Sequence, residues 1–126
     1  MYVRFAVQGI DAYSSRKQGL LVASSLLLDE GRLEKHEAEL VQHLVDWFNE
    51  HLRVPSVLKS WDTIRALSWF KASAAKPIGQ MWELTHVLRA HGEHVEFFNT
   101  DDPGNIIYED KWQVVATPRK GQRRPW

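Results

Sequence analysis

Val3, Phe5 and Val7 alternate with Tyr2, Arg4 and Ala6, the two-residue period of a strand with one buried face. The alternation stops at residues 9–17, where Gly9, Asp11, Ser14, Ser15 and several charges read as a loop. Leu20, Leu21, Ala23, Leu27 and Leu28 then recur at helical spacing, with Ser14 or Ser15 placed as the cap. Gly31 ends this helix, because glycine takes the left-handed conformation that closes a helix without a Cβ penalty, and Leu33 follows as an apolar clamp on the turn. Val41, Leu44, Val45, Phe48 and Leu52 place a second helix with one apolar face, and the short connection predicts an antiparallel helical hairpin.

Residues 53–59 contain Pro55 and read as a connector. Ser60 could cap a third helical segment, SWDTIRALSWFKASA, carrying Trp61, Ile64, Leu67 or Ser68, and Trp69 in a less clean pattern. Pro77 fits the first turn of a further helix with Met81, Leu84, Val87 and Leu88 as its stripe and Gly92 as its stop. Val95 and Phe97 begin a strand, Asp101-Asp102-Pro103-Gly104 reverses the chain into a second strand at Ile106–Tyr108, and the two are expected to form a hairpin. Glu109-Asp110-Lys111 turns the chain again into a last strand, Trp112–Ala116, before Pro118.

The expected order is therefore β-helices-β-β-β. It predicts one α+β domain over residues 1–118, with a three- or four-stranded, largely antiparallel sheet covered on one face by three to four helices. Residues 119–126 are expected to form a flexible basic tail.

Composition narrows this picture in three ways. A chain of 126 residues, 44% hydrophobic, is long enough to bury a core without staples. The absence of cysteine excludes disulfides and thiolate chemistry and suits a cytoplasmic protein; the first eleven residues also lack the pattern of a secretory signal. The longest apolar run, 20–28, is broken by Ser24 and Ser25 and falls far short of the ~20 residues of a membrane span. Net charge is zero, but Arg119, Lys120, Arg123 and Arg124 leave 12 basic and 16 acidic residues to positions 1–118, a formal charge of −4. That asymmetry predicts either a solvated end or a site for an anionic partner.

Candidate chemistry is sparse. There is no H-E-x-x-H zinc motif, since Leu40 follows His36-Glu37 where the second histidine would stand, and there is no phosphate loop, nucleophile elbow or dinucleotide fingerprint. His36, His43 and His51 could share a face of the second helix, but zinc needs convergent ligands, so no metal or other cofactor is assigned. His86, His91 and His94 cluster in sequence at the end of the fourth predicted helix, where His91 is placed to meet the carbonyl end of the helix dipole.

The acidic pairs Asp101-Asp102 and Glu109-Asp110 invite acid–base or divalent-cation chemistry, with Tyr108 and His91 or His94 as accessories. Both pairs also suit turns, and as turns they lie at opposite ends of a strand of about five residues, roughly 17 Å apart, too far for one dyad. Of the six tryptophans, Trp47, Trp61, Trp69 and Trp82 are expected in or near the core. Trp126 stands beside Arg119, Lys120, Arg123 and Arg124, where an aromatic among cations can stack on bases.

Three functions follow from these residues. The leading expectation is a small intracellular protein-binding or regulatory module without catalytic activity, which includes self-association through the last strand if that strand is an edge. The second is a small enzyme using Glu109, Asp110, Tyr108 and His91 or His94. The third is nonspecific nucleic-acid binding through the basic tail. No membrane association is expected.

Overall fold

The chain forms an α+β structure in which two strands, two helices, a strand, a helix and three strands follow one another along the sequence; a computed structural model describes residues 1–11, 16–53 and 66–122. The elements are β1 (Tyr2–Asp11), β2 (Arg16–Gly19), α1 (Leu20–Asp29), α2 (Lys35–His51), β3 (Leu67–Lys71), α3 (Ala75–Ala90), β4 (Val95–Thr100), β5 (Asn105–Glu109) and β6 (Gln113–Thr117). Hydrogen bonding orders the strands β2-β1-β3-β6-β5, with β4 pairing β1 off this path. Internal contacts divide the chain into two compact units, Met1–Arg4 with Val54–Ile78 and Phe97–Trp126, and Phe5–Arg53 with Gly79–Glu96.

In the first unit β3 pairs antiparallel with the start of β1, setting Val3 opposite Phe70, and with β6, setting Trp69 opposite Val114. Leu67, Trp69 and Val114 form a buried cluster against which Tyr2 and Phe98 pack. The third predicted helix is thus replaced over Leu67–Lys71 by a central strand, while residues 60–65 of that prediction lie outside the described residues. The reason is physical: Trp69 and Phe70 are consecutive and both buried, so the strand is covered on both faces. A strand covered on both faces shows an apolar run that periodicity cannot tell from a short helix. The same holds for β6, where Gln113, Val114, Val115 and Ala116 are all buried, so cover on one face alone does not describe this sheet.

The expected β4–β5 hairpin is also corrected. β5 pairs antiparallel with β6, while β4 pairs with β1. The turn between β4 and β5 exists, but it separates strands that do not share a ladder.

In the second unit the latter half of β1 pairs with β2, from Ala6 opposite Gly19 to Asp11 opposite Arg16. The first strand therefore runs past Val7, and a strand stands where a loop was expected. The register shifts between Val7 and Ile10, and there the Gln8 N–H donates instead to the His94 carbonyl at 2.9 Å.

α1 begins at Leu20 with Gly19 as its N-cap rather than at a serine; Ser14 and Ser15 lie outside the described residues. It buries Leu20, Ala23 and Leu27, and the Ser24 hydroxyl donates back to the Leu20 carbonyl at 2.8 Å, which lets a buried hydroxyl be satisfied. α2 buries Val41, Leu44, Val45 and Phe48 and packs on α1. α3 buries Met81, Leu84 and Leu88. It ends in paired bonds from the Gly92 N–H to the Arg89 carbonyl and from the Glu93 N–H to the Leu88 carbonyl, with Gly92 at φ +85°. This is the glycine-terminated closure that the sequence placed there.

Candidate functional site

The carboxyl-terminal strands gather the acidic and aromatic residues singled out above. β5 is flanked by two polar turns, and each is built by one aspartate. In the turn after β5, Asp110 Oδ1 accepts from the Trp112 and Gln113 amides at 2.9 Å each, and Oδ2 accepts from the Tyr108 hydroxyl at 2.9 Å and Gln113 Nε2 at 3.2 Å. The Asp110 N–H in turn donates to the Gln113 carbonyl at 2.9 Å, closing the β5–β6 hairpin.

Burial pushes the Asp110 carboxyl up, but the two amides, the Tyr108 hydroxyl and the Gln113 side chain outweigh it and hold the group below its ordinary value. A general base works best with a pKa near the working pH, so these bonds make Asp110 a poorer base while fixing the turn. Glu109 pairs with Lys71 across the sheet from the end of β5. Each residue of the proposed acid–base set on this turn therefore has a partner that holds the hairpin.

In the turn before β5, Asp102 draws together residues far apart in sequence. Its Oδ1 accepts from the Gly104 N–H at 3.2 Å, and its Oδ2 takes the Arg119 Nη1 at 2.6 Å. Arg119 also donates to the Gly104 carbonyl at 3.3 Å and to Asn105 Oδ1 at 3.4 Å. Gln122 closes the arrangement, donating from Nε2 to the Asp102 carbonyl at 3.0 Å while its Oε1 accepts from the Arg119 amide at 3.0 Å.

Gly104 sits at φ +115°, and a Cβ there would stand 2.2 Å from the Thr117 carbonyl oxygen, so the chain can pass only as glycine. Arg119 thus makes a half-exposed intrachain ion pair with Asp102. Lys120 is exposed, and Arg123, Arg124 and Trp126 lie outside the described residues.

The histidines belong to the other unit. His91 Nε2 lies 3.0 and 2.9 Å from the two oxygens of Glu37, and the Glu37 Oε1 also accepts from the Glu34 N–H at 3.1 Å within the capping box that starts α2. The His91 bond, then the Glu34 amide, hold the Glu37 carboxyl below its ordinary value against the opposing effect of burial. The His91 ring is therefore anchored by a carboxylate 54 residues away, a partner that its position at the end of α3 does not reveal.

His86 and His94 are exposed. On α2, His51 stacks on Trp47 with ring centroids 4.6 Å apart, His36 lies 3.6 Å from Glu34, and His43 lines an open depression with Glu39 and Asp46. Among the described residues no group of three histidine or acidic side chains converges on a metal position.

Sequence reasoning missed the exposed apolar edge of these strands. β5 ends the hydrogen-bonded path, with Ile106 42% and Ile107 38% exposed. The last strand, β6, is not an edge; it lies between β3 and β5. The two isoleucines were visible as strand formers, but an edge is a property of strand order, which no local pattern encodes. Among the described residues no helix is long and apolar enough to cross a membrane. Compared with protein-family models, curated proteins and solved structures, the chain has no significant match in any of the three.

Proposed function

We propose that this is a non-catalytic protein-binding module that engages another polypeptide along β5, working in the reducing cytoplasm that its lack of cysteine suits. The observation that carries the reading is the outer edge of β5, where Ile106 and Ile107 are consecutive and both exposed on a strand that pairs with β6 alone among the described residues. An open strand edge offers main-chain donors and acceptors to an extended segment, and apolar side chains beside it add burial. Support also comes from the acidic turns, because the carboxylates an enzyme would use are held by Lys71, Tyr108, Gln113 and Arg119.

The test is quantitative co-purification of the full chain from native extract, run in parallel with Ile107→Lys. Recovery of a stoichiometric polypeptide, whether another protein or a second copy, that is lost with the variant supports the reading. Equal recovery by both chains, or no stoichiometric partner for either together with no self-association of the purified chain, overturns it.

A further inference from the structure

We infer that β5 pairs antiparallel with β5 of a second copy of this chain, about a two-fold axis through Ile107. The inference rests on the reading of β5 as a binding edge and adds the identity and register of the occupant.

The first argument is that nothing in the strand repels a copy of itself. Natural edges are blunted by lysine, proline, inward-pointing charge, short length or a bulge; Asn105-Ile106-Ile107-Tyr108-Glu109 is short and carries a register shift, but it has no lysine or proline and holds its one charge at its end. The register shift on the β6 side, between Ile106 and Tyr108, bends the strand yet leaves both isoleucines exposed.

The second argument is complementarity under a two-fold. Antiparallel pairing centred on Ile107 sets it against the partner's Ile107, Ile106 against the partner's Tyr108, and Asn105 against the partner's Glu109. Aromatic and β-branched pairs are among the favourable cross-strand combinations. Glu109 keeps its intrachain pair with Lys71, and the Asn105 that faces it from the partner is uncharged, so neither end of the pair sets like charges against each other. In-register parallel pairing would oppose Glu109 to the partner's Glu109, which disfavours that alternative.

The contact is small. A five-residue strand pair buries well below the roughly 1,200–2,000 Å² of stable interfaces, so the dimer is expected to be weak and concentration-dependent.

The experiment is sedimentation equilibrium of the purified full chain over a concentration series reaching the millimolar range. The mass is expected to rise from 14.7 kDa toward twice that value. Ile107→Lys should remain at the monomer mass throughout, while Val22→Lys, which alters an exposed apolar residue of α1, should associate like the parent.

Asn105→Asp guards against loss of fold. It gives Arg119 a second intrachain carboxylate but sets a negative charge against the partner's Glu109, and should weaken association several-fold. Because the chain has no cysteine, Ile107→Cys supplies a direct reading of register. Facing residues in an antiparallel pair have Cα atoms about 4.5–5.5 Å apart, within disulfide reach, so mild oxidation should yield a covalent dimer that Val22→Cys does not form.

A parent chain that stays monomeric at every concentration overturns the inference, as does association that Ile107→Lys leaves intact. If the parent is monomeric yet Ile107→Lys abolishes capture of a different polypeptide, the self-pairing fails and the binding edge stands. If neither occurs, both fail.

Discussion

The turns on either side of β5 share an acidic signature in sequence and are held in opposite ways. Asp110 is satisfied by residues within three positions of itself, through the Tyr108 hydroxyl, the Trp112 and Gln113 amides and the Gln113 side chain. Asp102 depends on Arg119, 17 residues away, and on a glycine pressed against the Thr117 carbonyl. The first arrangement forms whenever the hairpin forms. The second exists only after the end of β6 and the following segment have come back beside β5. A carboxylate pair in sequence therefore says little about chemistry until its donors are known, and here the donors build turns.

The largest effect is expected from the turn that depends on tertiary contact. Gly104→Ala combines a left-handed backbone, φ +115°, with a Cβ 2.2 Å from a backbone oxygen. It should cost about 3–5 kcal/mol, read as a fall in the urea midpoint. Gly121→Ala shares the positive φ, +78°, but meets nothing within 4 Å, and should cost only about 1–2 kcal/mol. Equal losses at the two positions would mean that the close approach at Thr117 contributes nothing.

Asp110→Ala leaves the Tyr108 hydroxyl and two amides without their acceptor and should cost about 1–3 kcal/mol. Asp110→Asn keeps one acceptor oxygen and should cost less. The same pair of variants sharpens the comparison in acid. Because the folded carboxyl of Asp110 titrates below its unfolded value, its contribution is fully present above the unfolded pKa of about 3.9 and is lost as pH falls through the lower, folded value. Stability of the parent chain should therefore decline below about pH 4, and Asp110→Asn should show a shallower decline over that window. Chemical denaturation at a series of pH values checks the sign.

Arg119→Ala tests the long-range turn without strain. Its ion pair with Asp102 is half exposed on both sides, 52% and 51%, so the loss should be about 0.5–1 kcal/mol, shrinking with added salt. The smallest change is expected at Glu109→Gln. Glu109 is 54% exposed in its pair with Lys71, and its loss should stay within about 0.5 kcal/mol of the parent by thermal denaturation.

Much of this architecture was legible residue by residue. The strand alternation of Val3, Phe5 and Val7, the apolar face Val41-Leu44-Val45-Phe48, the stripe Met81-Leu84-Leu88 and the helix stops at Gly31 and Gly92 all follow from local stereochemistry and periodicity, and the structure contains each of them. The α+β class follows from their order along the chain.

What local pattern missed were features decided by neighbours distant in sequence. Leu67–Lys71 is a strand because β1 and β6 flank it, and its two buried faces erased the alternation that would have marked it. Arg16–Gly19 is a strand because β1 continues past Val7 to pair with it. The acidic turns were recognised as turns, but that Asp102 would hold Arg119, or that Glu37 would anchor His91, depended on which segments the fold returned to one another.

The candidate edge is the clearest case. Sequence determined that Ile106 and Ile107 favour a strand; tertiary structure alone decided that β5 would be the outermost strand of its path and β6 an inner one. The physical reason is range: backbone sterics and side-chain period act over a few residues and are written in each segment. Strand order is instead set by which buried faces and hydrogen-bonding edges satisfy one another across the whole chain.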